Sequence, residues 1–191
     1  MNTIISNKKL EYTINKSKFI SFIYYVENEE QVQDILNKLK KEYADSTHIC
    51  YAYIVDEINK YNDDKEPVAA LPMLNILKGN NLNYVLSVIV RYFGGIKLGV
   101  GGLSRAYSNG TKIVIENNTK PLIEGYLIDI SFDYDKINNI DFLLKDTKII
   151  EKKFEEKINY VFLISCSNYE NIKEKLNQIS TLNNIIFKKN V

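Results

Sequence analysis

The sequence predicts an α+β protein built as two domains, and three observations carry that expectation. Strand-like alternation and helical spacing take turns along the chain instead of falling into separate blocks. A segment reading NNTKPLIEG, residues 117–125, interrupts the apolar pattern with asparagines and Pro121. Beyond that break the elements follow the order β-α-β-β-α-β. Residues 1–120 and 121–191 are therefore read as separate domains.

In the first domain, LEYTINKSKFISFIYYV (10–26) alternates as two short strands around a turn at Asn15–Ser17. Asn28 then stands as a helix N-cap with Gln31 three residues on, the spacing of a capping box. Val32, Ile35, Leu36, Leu39 and Tyr43 follow at helical intervals, which makes this segment an amphipathic helix. HICYAYIVDEI (48–58) is a strand, and YNDDKEPVAALP (61–72) is a polar loop punctuated by proline. MLNILKG (73–79) gives a short helix stopped by Gly79. NYVLSVIVRYF (83–93) is almost wholly apolar, as a central strand covered on both faces should be. A second long helix follows, with Leu103, Ala106, Tyr107, Gly110, Ile113 and Val114 as its buried stripe. Ser104, Arg105, Ser108 and Lys112 then fall mostly on the opposite side.

In the second domain the pattern predicts a strand at Tyr126–Tyr134, a helix at Lys136–Lys145, and strands at Ile149–Phe154 and Asn159–Cys166. A helix at Tyr169–Ile179 and a strand at Asn184–Lys188 complete it. This order is that of a ferredoxin-like domain.

Composition narrows the function classes. Of 191 residues, 45% are apolar and 26% charged, enough to bury a core without covalent staples. The net charge of +1 excludes a polycation held to nucleic acid or lipid by bulk electrostatics, so any such binding needs a local patch. Cys50 and Cys166 lie far apart in sequence and suggest neither a disulfide framework nor a zinc site. No membrane span or signal segment is evident, and a cytoplasmic location is expected.

One stretch stands out: RYFGGIKLGVGGLSRAYSNG, residues 91–110. It holds six of the chain's eight glycines, five of them between Gly94 and Gly102, and, at Arg91 and Arg105, both of its arginines. A buried strand running through glycines into a helix can build an anion site, because glycine permits positive φ and lets several N–H groups turn inward together. The first N–H groups of the helix lack intrahelical partners and carry its positive dipole end. Arg91, Gly94, Gly95, Lys97, Gly99, Gly101, Gly102, Ser104 and Arg105 are accordingly the candidate anion-binding or nucleic-acid-binding residues. The P-loop and dinucleotide fingerprints are not met, because no Gly-Lys-Ser/Thr follows the first glycines and Ser104 stands where the last dinucleotide glycine belongs. The alternative is a tight strand-to-helix connection whose arginines pair with acids.

The same stretch resembles the signature of the IMPACT family, whose bacterial members include the YigZ-type proteins. The match runs from Arg91 to Tyr107, with SKF at Ser17–Phe19, HICYAY at His48–Tyr53 and DDKEP at Asp63–Pro67 upstream. The resemblance implies an N-terminal α/β sandwich like a ribosomal-protein domain, and a C-terminal domain like one from elongation factor G. It further implies a role in translation: eukaryotic relatives regulate it through a partner protein, and bacterial relatives are thought to bind nucleic acid or ribosomes. The chain departs from the pattern after DDKEP, where VAAL replaces a longer Ser-Gly-Thr-Ala-Gly run and Lys65 replaces a glycine.

Other residues admit rival readings. Asp63, Asp64 and Glu66 form an acidic loop that could hold magnesium against a bound phosphate, remain solvated, or pair with Arg91 and Arg105. His48 and Cys50 share one strand face and could form a nucleophilic pair, but a packed cysteine beside a hydrogen-bonded histidine is the simpler reading. The 14 tyrosines fall mainly on buried stripes and are assigned to the core. The expectation is a non-enzymatic protein with no catalytic residues, metal or cofactor, whose partner is RNA, the ribosome or a translation-associated protein. The alternatives are an enzyme binding a phosphorylated metabolite or nucleotide at the glycine turn, and a protein-interaction adaptor.

Overall fold

The computed structural model describes residues 1–188 and divides into two units, Met1–Pro121 and the part from Leu122 onward. In the first unit, β1 (Asn2–Ile4) is followed by the hairpin of β2 (Lys8–Ile14) and β3 (Ser17–Tyr25). Asn15 and Lys16 at its tip both take positive φ, 45° and 63°, the backbone of a two-residue turn whose twist suits paired strands. Helix α1 (Glu29–Glu42) starts where expected: the Asn28 side chain accepts the Gln31 N–H at 2.9 Å. The reciprocal bond is displaced by one residue, from the Glu27 N–H to Gln31 Oε1.

Next come β4 (His48–Val55) and β5 (Ile58–Asn62). The sequence reading runs part of β5 into a loop. Every residue of INKYN is exposed, so this edge strand shows no apolar alternation to betray it. Helix α2 (Ala70–Gly79) begins three residues before the predicted Met73. Pro72 falls in its first turn, where a missing N–H breaks no helical bond. Then follow β6 (Val85–Tyr92), α3 (Gly99–Ile115) and β7 (Thr119–Pro121), which pairs antiparallel with β1.

The main sheet runs β2-β3-β6-β4-β5, antiparallel throughout, with β6 at the centre. Its two faces follow from strand parity. Phe19, Ile23, Cys50, Ala52, Val85 and Ile89 pack against α2 and α3. The opposite face meets α1, where Phe22 lies edge-on to Tyr43 and Tyr53 donates to Glu29. Gly110 sets how closely α3 approaches. A Cβ there would stand 2.2 Å from Tyr12 Oη and 2.6 Å from Ser21 Oγ. The buried side of α3 also includes Thr111 and Ile115, while Ile113 is only partly covered.

The second unit holds β8 (Gly125–Phe132), a 3-10 turn (Tyr134–Lys136), α4 (Ile137–Leu143), β9 (Lys148–Phe154), β10 (Ile158–Ser165), α5 (Cys166–Ile179) and β11 (Thr181–Lys188). Its antiparallel sheet has the order β11-β8-β10-β9. β8, β10 and the two helices enclose a core of their own around Ile128, Ile130, Tyr160, Phe162 and Leu176. The last strand begins three residues before the predicted Asn184, and α5 three before Tyr169, with Ser165 capping it. Among the described residues no helix is long and apolar enough to cross a membrane.

Two glycines of one helix should respond oppositely to alanine. Gly110→Ala must displace Tyr12 or Ser21 and should lower unfolding free energy by about 1–3 kcal/mol. A Cβ on Gly101 would meet nothing within 4 Å, so Gly101→Ala should be neutral or stabilising by up to about 1 kcal/mol. Denaturant titration of both variants checks the contrast.

Candidate functional site

The sheet register lines up Tyr12, Phe19, Arg91 and His48 across β2, β3, β6 and β4, all on the face toward α3. Arg91 is therefore carried inward, with only 3% of its surface exposed. A charge that deep needs a counter-charge and hydrogen bonds. Its Nη1 donates to Glu66 Oε1, and Nη2 lies 3.3 Å from Ser17 Oγ. The guanidinium also stands 5.5 Å from the Phe19 ring centroid and 5.4 Å from that of Phe93. Arg91 is thus no free anion contact; it is the partner of a buried acid.

Glu66, 5% exposed, is held from several sides. Tyr107 on α3 donates its hydroxyl to Oε2 at 2.8 Å, and His48 Nε2 lies 3.8 Å from the same oxygen. The Glu66 N–H closes a turn onto the Asp63 carbonyl at 2.7 Å. Asp63 and Asp64 are occupied with the backbone. Asp63 Oδ1 accepts the Ala70 N–H at 2.5 Å, at the entry to α2. Asp64 Oδ2 accepts the Ile49 N–H at 2.7 Å, taking over where β5 ceases to pair with β4. His48 Nδ1 is 2.9 Å from the Asp64 carbonyl, which can only accept, so Nδ1 carries the proton. The loop is strained where it makes these bonds: Asp64, Lys65 and the β-branched Val68 all have positive φ.

Cys50 is fully buried, with Sγ 3.1 Å from the Asp63 carbonyl and 3.5 Å from Tyr107 Oη. Burial pushes its thiol up from 9.0 to about 12, which suits packing and not nucleophilic attack. Burial likewise raises the Tyr107 hydroxyl, with the Cys50 thiol adding to it. Among the described residues no three His, Cys, Asp or Glu side chains gather to hold a metal ion.

The glycines divide by role. A Cβ on Gly94 would stand 2.0 Å from the Lys16 carbonyl carbon, so Gly94 lets the turn after β6 sit on the β2–β3 hairpin. That contact is pinned by the Gly94 N–H to Ser17 Oγ at 3.1 Å and the Phe93 N–H to Thr47 Oγ1 at 2.9 Å. Gly95 and Gly99 have φ of +86° and +69°, which only glycine adopts without strain. Gly99, Gly101 and Gly102 lie within the first turn of α3 and not in a loop before it. Leu98 at the N-cap makes no side-chain capping bond. Ser104 is half-buried and Arg105 exposed.

Between this turn and the Arg91–Glu66 pair lies a cleft of about 530 Å³. Arg91, Lys97 and Gly99 of the predicted set line it together with Glu66, but Arg105 and Ser104 do not. Arg105 is two residues beyond Leu103, which lines the cleft, and so faces the far side of α3. Sequence reasoning missed Ser17, Thr47 and the polar role of Tyr107. Their spacing along the chain gives no sign of convergence, which only the sheet register produces.

Residues 15–115 match the Impact N-terminal domain. The chain belongs to the IMPACT family. It is 38% identical to IMPACT family member YvyE of Bacillus subtilis over 160 residues, covering 80% of this chain and 73% of that one. It is 32% identical to an IMPACT family member of Haemophilus influenzae over 183 residues, 90% of this chain and 88% of the other. A crystal structure of a hypothetical protein superposes with a TM-score of 0.63 at 26% identity, covering 95% of each chain. The motifs SKF, HICYAY, DDKEP and RYFGG, scattered over the IMPACT domain sequence, are the ones this fold draws into one cluster.

The Cys50 thiol gives a pH prediction. Its folded pKa is raised above the unfolded value, so its contribution to stability is complete below about pH 9 and declines as pH rises towards 12. At pH 8 a thiol reagent should label the half-exposed Cys166 readily and Cys50 only on unfolding. Prompt labelling of both in the folded protein would contradict the burial argument.

Proposed function

We propose that this IMPACT protein is a non-enzymatic binder of structured RNA or ribosomal phosphate, acting in the regulation of translation. The observation that carries the reading is the uncapped start of α3, where exposed Lys97, Gly99, Val100 and Gly101 surround free backbone N–H groups. Lys16, exposed at the hairpin tip packed against Gly94, adds a second lysine to this edge. Arg105 lies further along the same helix, exposed on its outer side. The translation setting is the one the family resemblance implies. We read the first unit as the ribosomal-protein-like sandwich and the β11-β8-β10-β9 unit as the ferredoxin-like domain, in a bacterial member of the YigZ type.

The geometry speaks against the enzymatic alternative. Asp63, Asp64 and Glu66, the acids read as a possible metal site, are engaged by backbone N–H groups or by Arg91, and Cys50 is a buried, neutral thiol. Phosphate contacts of this kind carry little sequence preference and weaken as salt rises.

Co-sedimentation with ribosomes and with a structured RNA should show binding at about 50 mM salt that falls at least tenfold by about 200 mM. Lys97→Ala combined with Arg105→Ala should weaken it several-fold without changing stability. Binding that ignores both salt and the double substitution would refute the reading.

A further inference from the structure

The cleft behind the turn has a chemistry that phosphate binding at the rim does not use. Its walls are mostly apolar, formed by Pro67, Phe93, Leu98, Val100 and Leu103. Phe93 and Val100 are 45% and 64% exposed, leaving apolar surface uncovered at the mouth. At its polar end stand Arg91 and the start of α3. Two arms of Arg91 are engaged by Glu66 and Ser17, but Nε, buried, has no hydrogen-bond acceptor among the described residues. A buried N–H on a cation left without an acceptor is unfavourable, and buried groups of this kind are usually satisfied. Gly99 and Val100, at the uncapped start of α3, line the same cleft as Arg91.

Charge decides which acceptor fits. Arg91 and Glu66 neutralise each other, so the cleft retains Lys97 and the partial positive charge of the helix end. That balances one negative charge and not two. The apolar walls suit a hydrocarbon body and offer little to a sugar or nucleotide. We propose that the cleft binds a small organic acid with a single carboxylate and an apolar body. The carboxylate sits between Arg91 Nε and the first N–H groups of α3, and the body lies against Phe93, Leu98 and Leu103. A volume of about 530 Å³ is in the range of small-molecule sites. The inference shares Lys97 and the start of α3 with the RNA contact but rests on the cleft behind them, and it is tested without nucleic acid, so either reading can fail without the other.

Calorimetric titration of the full chain with hexanoate, 3-phenylpropanoate, hexanamide and hexyl phosphate tests it. Saturable binding of at least one acid is expected at about millimolar concentration or better, with hexanamide at least about tenfold weaker and hexyl phosphate no tighter than hexanoate. Val100→Asp places a negative charge in the first turn of α3, where it favours the helix, and should weaken acid binding about tenfold or more. Asn109→Asp, which adds the same charge at an exposed position further along α3 and outside the cleft lining, should bind the acids within about threefold of the natural protein. The proposal is overturned by any of four results: no saturable binding of either acid at about 10 mM, equal affinity for hexanamide, tighter binding of hexyl phosphate, or unchanged affinity in Val100→Asp.

Discussion

Arg91 and Glu66, each at most 5% exposed, form the pair around which the first unit is arranged. Neither charge could be buried alone without several kcal/mol of desolvation, so the pairing constrains every element that supplies one of the surrounding groups. β6 carries Arg91, and the loop after β5 carries Glu66. α3 delivers the Tyr107 hydroxyl, and the start of β3 delivers Ser17. The strained backbone at Asp64, Lys65 and Val68 follows from the same demand, because the loop must turn Glu66 inward while Asp63 and Asp64 bond to α2 and β4. Breaking a pair of this kind by removing one partner typically costs about 3–5 kcal/mol.

The glycine turn is shaped from beneath by this cluster. Ser17 Oγ accepts from both Arg91 and the Gly94 N–H, so one hydroxyl links the buried pair to the turn above it. Gly94 is small because the hairpin backbone lies against it. Gly101 is small for no reason found inside the chain, since nothing lies within reach of its missing side chain. The turn therefore combines a rigid, internally explained half with an open, exposed half. Binding at the open half draws on a scaffold that is already in place.

Legibility in the sequence followed how local each signal is. The Asn28 cap, the apolar run of β6 and, apart from the partly covered Ile113, the stripe of α3 are written in neighbouring residues and appear at the expected places. The β-α-β-β-α-β order after residue 124 is equally local in origin. β5 escaped because a polar edge strand looks like a loop, and the start of α2 escaped because proline is acceptable in a first helical turn. The pairing of residues 66 and 91 depends on sheet register, which no short window contains. Its sign was visible only as one of several rival fates for the acidic loop. Whether a given glycine serves packing, conformation or access likewise depends on what lies opposite in space.

The claim that Arg91 and Glu66 act as one buried unit is tested most directly by a double-mutant cycle in denaturant unfolding. Glu66→Gln and Arg91→Met should each lower stability by about 3–5 kcal/mol. The two together should lose no more than about the larger single loss, because the second change removes a charge already stranded by the first. Additive losses would contradict the account, showing that each residue contributes independently of the other.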